Sequence, residues 1–481
     1  MADTATRSPV REALRHLTGE SLIYGIGQVS GRAVNLLLVP VLTRALTPQA
    51  YGVADLVLAY SQTALLVLVF GMDSALARHF YDEPDREARI RMASSSLVFR
   101  IVTGVSAALL LGFGIIPLAA PLLAGEAYRK YLTIGAITLP FTLLTLYAND
   151  VLRVTFQAKK FVALNFIQTV SVLVFSLYLV IARDLGVVGV LYGKLGGDVL
   201  TAALGLVLCR HTIGRRFDGA ILRRMLGYGL PLVPAALAYG LITAADRFAL
   251  QRTRPLEEVG VYAVGMKFFA LVTMGVAAFQ LAFGPFAFAR ARDPSAPRLY
   301  ARVFLLYMAV ACLGALVAGA FAPEIVRILA PSSYAGAAAP ALWLTFAAVL
   351  QGAYTIGGLG LGLAHRTVLV AWAAAGAVLV AAAANALLTP RLGPVGAAMA
   401  TFAAHAASAA IVTLTSQRVY PLPHRGGRLT AIVAIALALA LALQRWAPEG
   451  AVGVAVRLAV AGVYAVIAAR LSGLRWPPGS A

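Results

Sequence analysis

Arg32, Arg100, Lys194, Lys267 and Arg457 each stand inside a run of apolar residues long enough to cross a bilayer. Asp198 stands well inside such a run too, and Asp55 and Asp246 lie nearer the ends of theirs. A charge at mid-bilayer is costly, so its side chain faces a cavity or a partner. The deep bases outnumber the deep acids, and a cavity lined this way attracts an anion. Spacing then sorts them. Lys194 and Asp198 are four residues apart, share a helix face and can neutralise each other. Arg100 has a stem long enough to snorkel part of the way out. Asp246 and Arg247 read as a gate or interface pair, and Arg457, near the end of the last run, as an anchor. Arg32 and Lys267 have the weakest structural excuse and lead the candidates for ligand binding. Asn35, Gln62, Asn149, Asn165, Gln168 and Gln280 add amides to these runs. Such groups suit a sugar, and they equally suit hydrogen bonds between helices.

Catalytic constellations are missing. The sequence has no Walker motif, no nucleophile elbow, no HExxH and no carboxylate pair beside a histidine, so no catalytic residue is assigned and an enzyme is not expected. The six histidines are scattered, and His405, the only one deep in an apolar run, reads as a packing residue. Cys209 and Cys312 lack metal-ligand spacing and read as buried thiols. No metal and no cofactor is expected. The net charge of +20 raises the question of nucleic acid. Most Lys and Arg, however, fall in short loops between apolar runs, which is the positive-inside pattern of a membrane protein.

The elements that must hold these residues are membrane helices. The chain has 481 residues, 60% hydrophobic and 12% charged. This predicts an all-α polytopic protein of about 14 spans, and the weak ten-residue alternation of a β-barrel is not seen. The basic loops alternate, which predicts an even number of spans with both termini cytoplasmic. The segment with Arg7, Arg11 and Arg15 has no cleavable-signal pattern, so the first apolar run reads as a retained span.

The sequence also repeats. GEAYRKY around Tyr128 matches SSYAGA around Tyr334, and AKKFV at 158–162 matches AHRTV at 364–368. LGVVG at 185–189 matches LGPVG at 392–396, and Gly52-Val53 matches Gly260-Val261, all at nearly one offset. This predicts two six-helix halves of like orientation, with a substrate path between them. The expected organisation is a segment 1–20, a first lobe 21–209, a basic linker 210–225 and a second lobe 226–416. A loop 417–428, two added spans within 429–470 and a tail 471–481 complete it. Pro40, Pro231 and Pro234 lie in the equivalent first spans of the two halves, where they permit bending.

LVPVLTRALTPQAYGVADLVLAY at 38–60 and GMDSALARHFYD at 71–82 resemble the start of the polysaccharide transporters, the Wzx-type oligosaccharide-lipid flippases. ADRFALQRTRPLEEVGVYAVGMKF at 245–268 and FAPEIVRILAPSSYAGAAAPAL at 321–342 resemble the second half of the same family. The resemblance covers most of spans 1 to 12. It implies the two-lobe fold shared with MATE exporters and lipid II flippases. It also implies alternating-access transfer of undecaprenyl-pyrophosphate-linked oligosaccharide across the plasma membrane, with no enzyme activity and no cofactor. The family's cationic cavity would here take Arg32 and Lys267, and the residues themselves add Asn35, Arg100 and Lys194 as candidates for substrate binding. Asp55, Asp198, Asp246 and Arg247 are the residues available for ion coupling or gating. Membrane lipids and polysaccharide assembly proteins such as a polymerase are the implied partners. A MATE-type drug exporter, a lipid II flippase and a membrane polymerase or ligase are the competing readings. A drug exporter of cations would want an acidic cavity, and a polymerase a large outer loop.

Overall fold

The computed structural model of the protein describes Leu36 and residues 38–117, 128–214, 217–290, 293–364, 367–423, 426–448 and 450–472. It is all helical, with no strand among the described residues. In a bilayer core every backbone N–H and C=O must be bonded within the protein, and a helix does this alone. The helices are α1 (Pro48–Leu68), α2 (Met72–Asp82), α3 (Arg86–Leu109), α4 (Arg129–Val154), α5 (Ala158–Leu177) and α6 (Gly186–Cys209). There follow α7 (Gly219–Gly229), α8 (Val233–Thr253), α9 (Leu256–Ala289), α10 (Ala296–Ala320), α11 (Ala322–Leu329) and α12 (Ala338–Gly357). The last are α13 (Leu359–Leu363), α14 (Thr367–Val419), α15 (Gly426–Trp446) and α16 (Gly450–Ser472).

Among the described residues eleven helices are long and apolar enough to span a membrane, or twelve if the broken stretch Gly219–Leu232 with Ala236–Ile242 is one span. The protein is therefore a multi-pass membrane protein. The expected count of about 14 is not confirmed among the described residues, for two reasons. Most of the first expected span, with Arg32 and Asn35, lies outside the described residues. The spans expected on either side of Pro390 and Pro394 are counted together in α14, which is broken at Gly393 by a non-helical φ of 56° and ψ of −131°. Only glycine visits that backbone region readily.

The chain divides into two compact units. Among described residues, the first comprises 64–233 and the second 36, 38–63 and 234–472. In the first unit α2, α3, α4 and α6 enclose Met72, Leu76, Met92, Tyr147 and Leu152, all essentially without exposure. Asp85 starts α3 by accepting from the amides of Glu87 and Ala88, and Asp218 starts α7 in the same way. Gly104 on α3 allows the backbone of α4 at Pro140 to come close, since a Cβ there would lie 2.8 Å from the Pro140 Cα.

In the second unit, residues 38–63 are tied to the rest by polar contacts. Thr43 Oγ1 donates to the Leu329 carbonyl (2.8 Å), and the Tyr334 hydroxyl donates to the Leu46 carbonyl (2.9 Å). The largest core runs through α10 and α12 and takes in the hairpin α15–α16 through Ile432, Ala436, Ala440, Ala461 and Tyr464. The hairpin is also pinned by Arg457, 4% exposed, which lies 2.8 Å from Glu324 on α11. Large apolar side chains left outside, such as Phe113 and Leu379, suit hydrocarbon.

Candidate functional site

Four of the ionisable residues singled out in the sequence gather in the second unit. Asp55 comes from α1, Asp246 and Arg247 from α8, and Lys267 from α9. Packing sets their places. Leu56, Leu250, Val259, Tyr262, Ala397 and Ala398 form one buried cluster, and each charged residue sits next to or about one turn from a member of it.

Arg247 Nε donates to Asp55 Oδ2 at 2.7 Å. Lys267 lies against the Tyr51 hydroxyl, with Asp55 as the nearby carboxylate. Arg247 thus holds Asp55 directly, and Lys267 stands in the same neighbourhood on Tyr51. Asp246 has no exposure and is supplied from three other directions. Its Oδ1 accepts from the Arg247 amide (2.7 Å), while its Oδ2 accepts from the Tyr262 hydroxyl and from Thr401 Oγ1 (3.2 Å). The Arg247 guanidinium lies 6.0 Å from the centre of the Tyr262 ring. Both carboxylates are thus paired or hydrogen-bonded, which is the condition for keeping charge in a low-dielectric interior.

The first unit holds two further clusters. Asp198, without exposure, accepts from Gln168 Nε2 (2.9 Å) on one oxygen and from Thr142 Oγ1 (2.5 Å) and Lys194 Nζ on the other. The i,i+4 pairing expected of Lys194 and Asp198 is present. Arg100, also without exposure, donates from Nη2 to Asp150 Oδ2 at 2.5 Å, and Arg153 holds the other oxygen at 2.8 Å. Arg100 Nε and Nη1, with the buried Tyr147 hydroxyl, find no partner among the described residues.

The structure therefore brings Asp55, Asp246, Arg247 and Lys267 together, pairs Lys194 with Asp198 and sets Arg100 apart on Asp150. Arg32 and Asn35 lie outside the described residues. His405 is buried beside Phe269, ring centres 5.7 Å apart, and both cysteines are buried. Asn149 and Asn165 bond each other (2.8 Å), and Gln280 donates to Thr355 (2.9 Å). Among the described residues no group of His, Cys, Asp and Glu is placed to hold a metal ion.

Sequence reasoning missed Asp150, Tyr51, Tyr262 and Thr401. Asp150 had a signal, since Arg153 follows it by three residues and a buried Arg100 demands a carboxylate. The tyrosines and the threonine had none. The expected surplus of deep bases over acids is reduced, because Arg100, Lys194, Arg247, Lys267 and Arg457 each have a carboxylate nearby.

The family model described as polysaccharide biosynthesis protein matches residues 41–339. An Lsg locus protein of Haemophilus influenzae is 24% identical over 273 residues, 56% of this chain. That match spans 65% of the relative, short of two thirds of its length. Among solved structures the lipid II flippase MurJ in an inward closed conformation is similar, with TM-score 0.74 and 13% identity over 94% of this chain and 98% of that one. The MATE multidrug transporter DinF-BH gives TM-score 0.62 and 16% identity over 88% and 99%. A MOP superfamily transporter from Pyrococcus furiosus gives 0.56 and 17% over 85% and 97%. At these identities the structures speak for the fold: the helices are arranged as in transporters of the MOP superfamily.

Proposed function

The chain belongs to the polysaccharide biosynthesis protein family, and from that membership we propose that it is a flippase for undecaprenyl-pyrophosphate-linked oligosaccharide, an O-antigen, capsule or exopolysaccharide unit. On this reading it works in the plasma membrane with both termini in the cytoplasm. It alternates between inward-open and outward-open states and hands its cargo to polysaccharide assembly proteins such as a polymerase. No step of bond making is assigned to it.

The observation that carries the reading is the buried Arg247–Asp55 pair with Lys267 on Tyr51 beside it. An entering pyrophosphate offers oxygens that compete with this carboxylate for the same donors. Arginine meets phosphate in fixed bidentate geometry, and a low dielectric strengthens the contact. Lys267 heads the substrate-binding set with Arg32 and Asn35. Arg100 and Lys194, held by Asp150 and Asp198, belong to it through the shape they give the first unit. Asp55 and Asp246 are the carboxylates for ion coupling, with Arg247 as the gate between them. Asp198 already has three side-chain donors and ranks behind them.

Flipping of a fluorescent undecaprenyl-pyrophosphate oligosaccharide in proteoliposomes tests the proposal. Lys267→Ala and Arg32→Ala are each expected to slow transfer roughly 10- to 100-fold, the range for losing one charge-assisted hydrogen bond. Parent-like rates in both variants would remove these residues from the site. Transfer of lipid II alone would make the protein a lipid II flippase. Efflux of a cationic dye with no lipid transfer would make it a drug exporter of the MATE type.

A further inference from the structure

The first unit has a cavity of about 510 Å³ away from its charge clusters, at the ends of its helices. Three connections border it: the turn from α2 into α3, the turn after α4, and the segment after α6. Helices alternate in direction, so these connections lie at one end of the unit, and the arginine bias puts that end in the cytoplasm.

The lining is basic and aromatic. Arg86, Arg89 and His211 contribute the charge and polarity, Phe80, Tyr81 and Phe156 the rings, and no acidic side chain takes part. The acids close by are engaged elsewhere. Asp82 pairs with Arg78, Glu83 with Arg224, and Asp85 and Glu87 with Arg91. Arg86 has no ion pair among the described residues. Arg89 is held in place without an acid: its Nε donates to the Glu83 carbonyl (2.6 Å), and its guanidinium lies 5.2 Å from the centre of the Phe80 ring.

The aromatic wall is held out by the backbone. Phe156 has φ 55°, a conformation that a bulky side chain rarely adopts and that persists only when its surroundings impose it. It places the Phe156 ring 5.8 Å from that of Tyr81, and the two residues stay 54% and 50% exposed. The Tyr81 hydroxyl is fixed by donation to the Val154 carbonyl (3.1 Å).

Basic pockets among membrane helices on the cytoplasmic side take anionic lipid head groups. We propose that this cavity binds the phosphate of an anionic phospholipid, with Arg86 and Arg89 on the phosphate and Tyr81 and Phe156 against the glycerol and first methylenes. The volume falls in the range of a small-molecule site. This binding is independent of the transported cargo.

The test is native mass spectrometry of the full-length protein titrated with phosphatidylglycerol, with phosphatidylcholine as the neutral control. Arg86→Gln and Arg89→Gln are each expected to weaken phosphatidylglycerol binding about fivefold, the worth of one surface arginine, with no change for Arg252→Gln. Phe156→Gly relieves the backbone strain, so it keeps the fold while removing one wall, and it too is expected to weaken binding. Parent-like binding in the arginine and Phe156 variants overturns the proposal. So does equal binding of the two lipids. Millimolar glycerol 1-phosphate that binds as tightly as phosphatidylglycerol reassigns the cavity to a soluble phosphate ester and overturns the lipid source.

Discussion

Arg100 and Asp150 form a fragile pair in the first unit, because both are buried and no water can take the place of a lost partner. Arg100 has no exposure, and its only described acceptor is Asp150. Asp150→Asn leaves a buried guanidinium facing a neutral amide, and breaking such a pair costs about 3–5 kcal/mol. Thermal unfolding in detergent is expected to show a large drop in melting temperature. A double variant, Arg100→Met with Asp150→Leu, is expected to recover most of it, since apolar side chains of similar size often replace a buried pair without loss. Arg153, whose side chain is 52% exposed, is the internal control: Arg153→Ala should cost less than about 1 kcal/mol. If the double variant is as unstable as Asp150→Asn, the pair is not the cause. In the second unit Asp246 obeys the same logic at smaller scale. Tyr262→Phe removes one of its donors and is expected to cost about 1–3 kcal/mol, read in the same melts. At this scale the sequence was half legible. A base in an apolar run announces itself, which is why Arg100, Lys194 and Lys267 could be picked out. The group that answers it is fainter, except where it stands four residues on, as Asp198 does from Lys194. Asp150 sits beside Arg153 where the apolar run ends and looks like loop chemistry, while Tyr262 and Thr401 are ordinary residues of ordinary helices.

At the scale of elements, backbones come close where side chains are absent. Gly52 on α1 and Gly260 on α9, which match each other in the sequence, meet in the second unit. A Cβ on Gly52 would lie 2.5 Å from the Leu256 carbonyl and 2.7 Å from the Gly260 amide, and one on Gly260 would run into the Pro48 carbonyl. Nothing there can yield except the helices themselves. Gly260→Ala is therefore expected to lower the yield of folded, monodisperse protein sharply, as seen by fluorescence size-exclusion chromatography. Gly462 on α16 has open space around its Cβ position, so Gly462→Ala should instead gain up to about 1 kcal/mol from helix propensity. An unchanged profile for Gly260→Ala would mean that α1 and α9 are not locked at this crossing. The helices were legible because length and hydropathy alone define a span. Some breaks were legible too, since Pro231 and Pro234 mark the bend between Gly219–Leu232 and Ala236–Ile242. Between Pro390 and Pro394 the helix breaks at the non-helical Gly393, with Glu258 beside that glycine, a neighbour supplied by tertiary structure.

For the whole molecule, the basic loops make a claim about sidedness that packing alone cannot test. Long apolar helices fit a membrane in either orientation, and the arginine bias is what selects one. The molecule offers a quiet background for the measurement, since Cys209 and Cys312 are both buried and free. Cysteines introduced one at a time at exposed loop positions will then report alone. Arg86→Cys and Arg298→Cys lie in connections expected in the cytoplasm, and Arg183→Cys and Arg445→Cys in connections expected outside. A membrane-impermeant thiol reagent applied to right-side-out vesicles is expected to label the second pair and spare the first, with the reverse in inverted vesicles. The same experiment bears on the break at Gly393, because Arg391→Cys follows the outside set only if α14 crosses the membrane twice. Labelling of Arg86→Cys from outside would invert the molecule, and with it the leaflet that supplies an anionic head group to the cavity at Arg86 and Arg89. The parent protein should stay unlabelled in both preparations, because a thiol inside a packed helical core meets reagent only when that core opens.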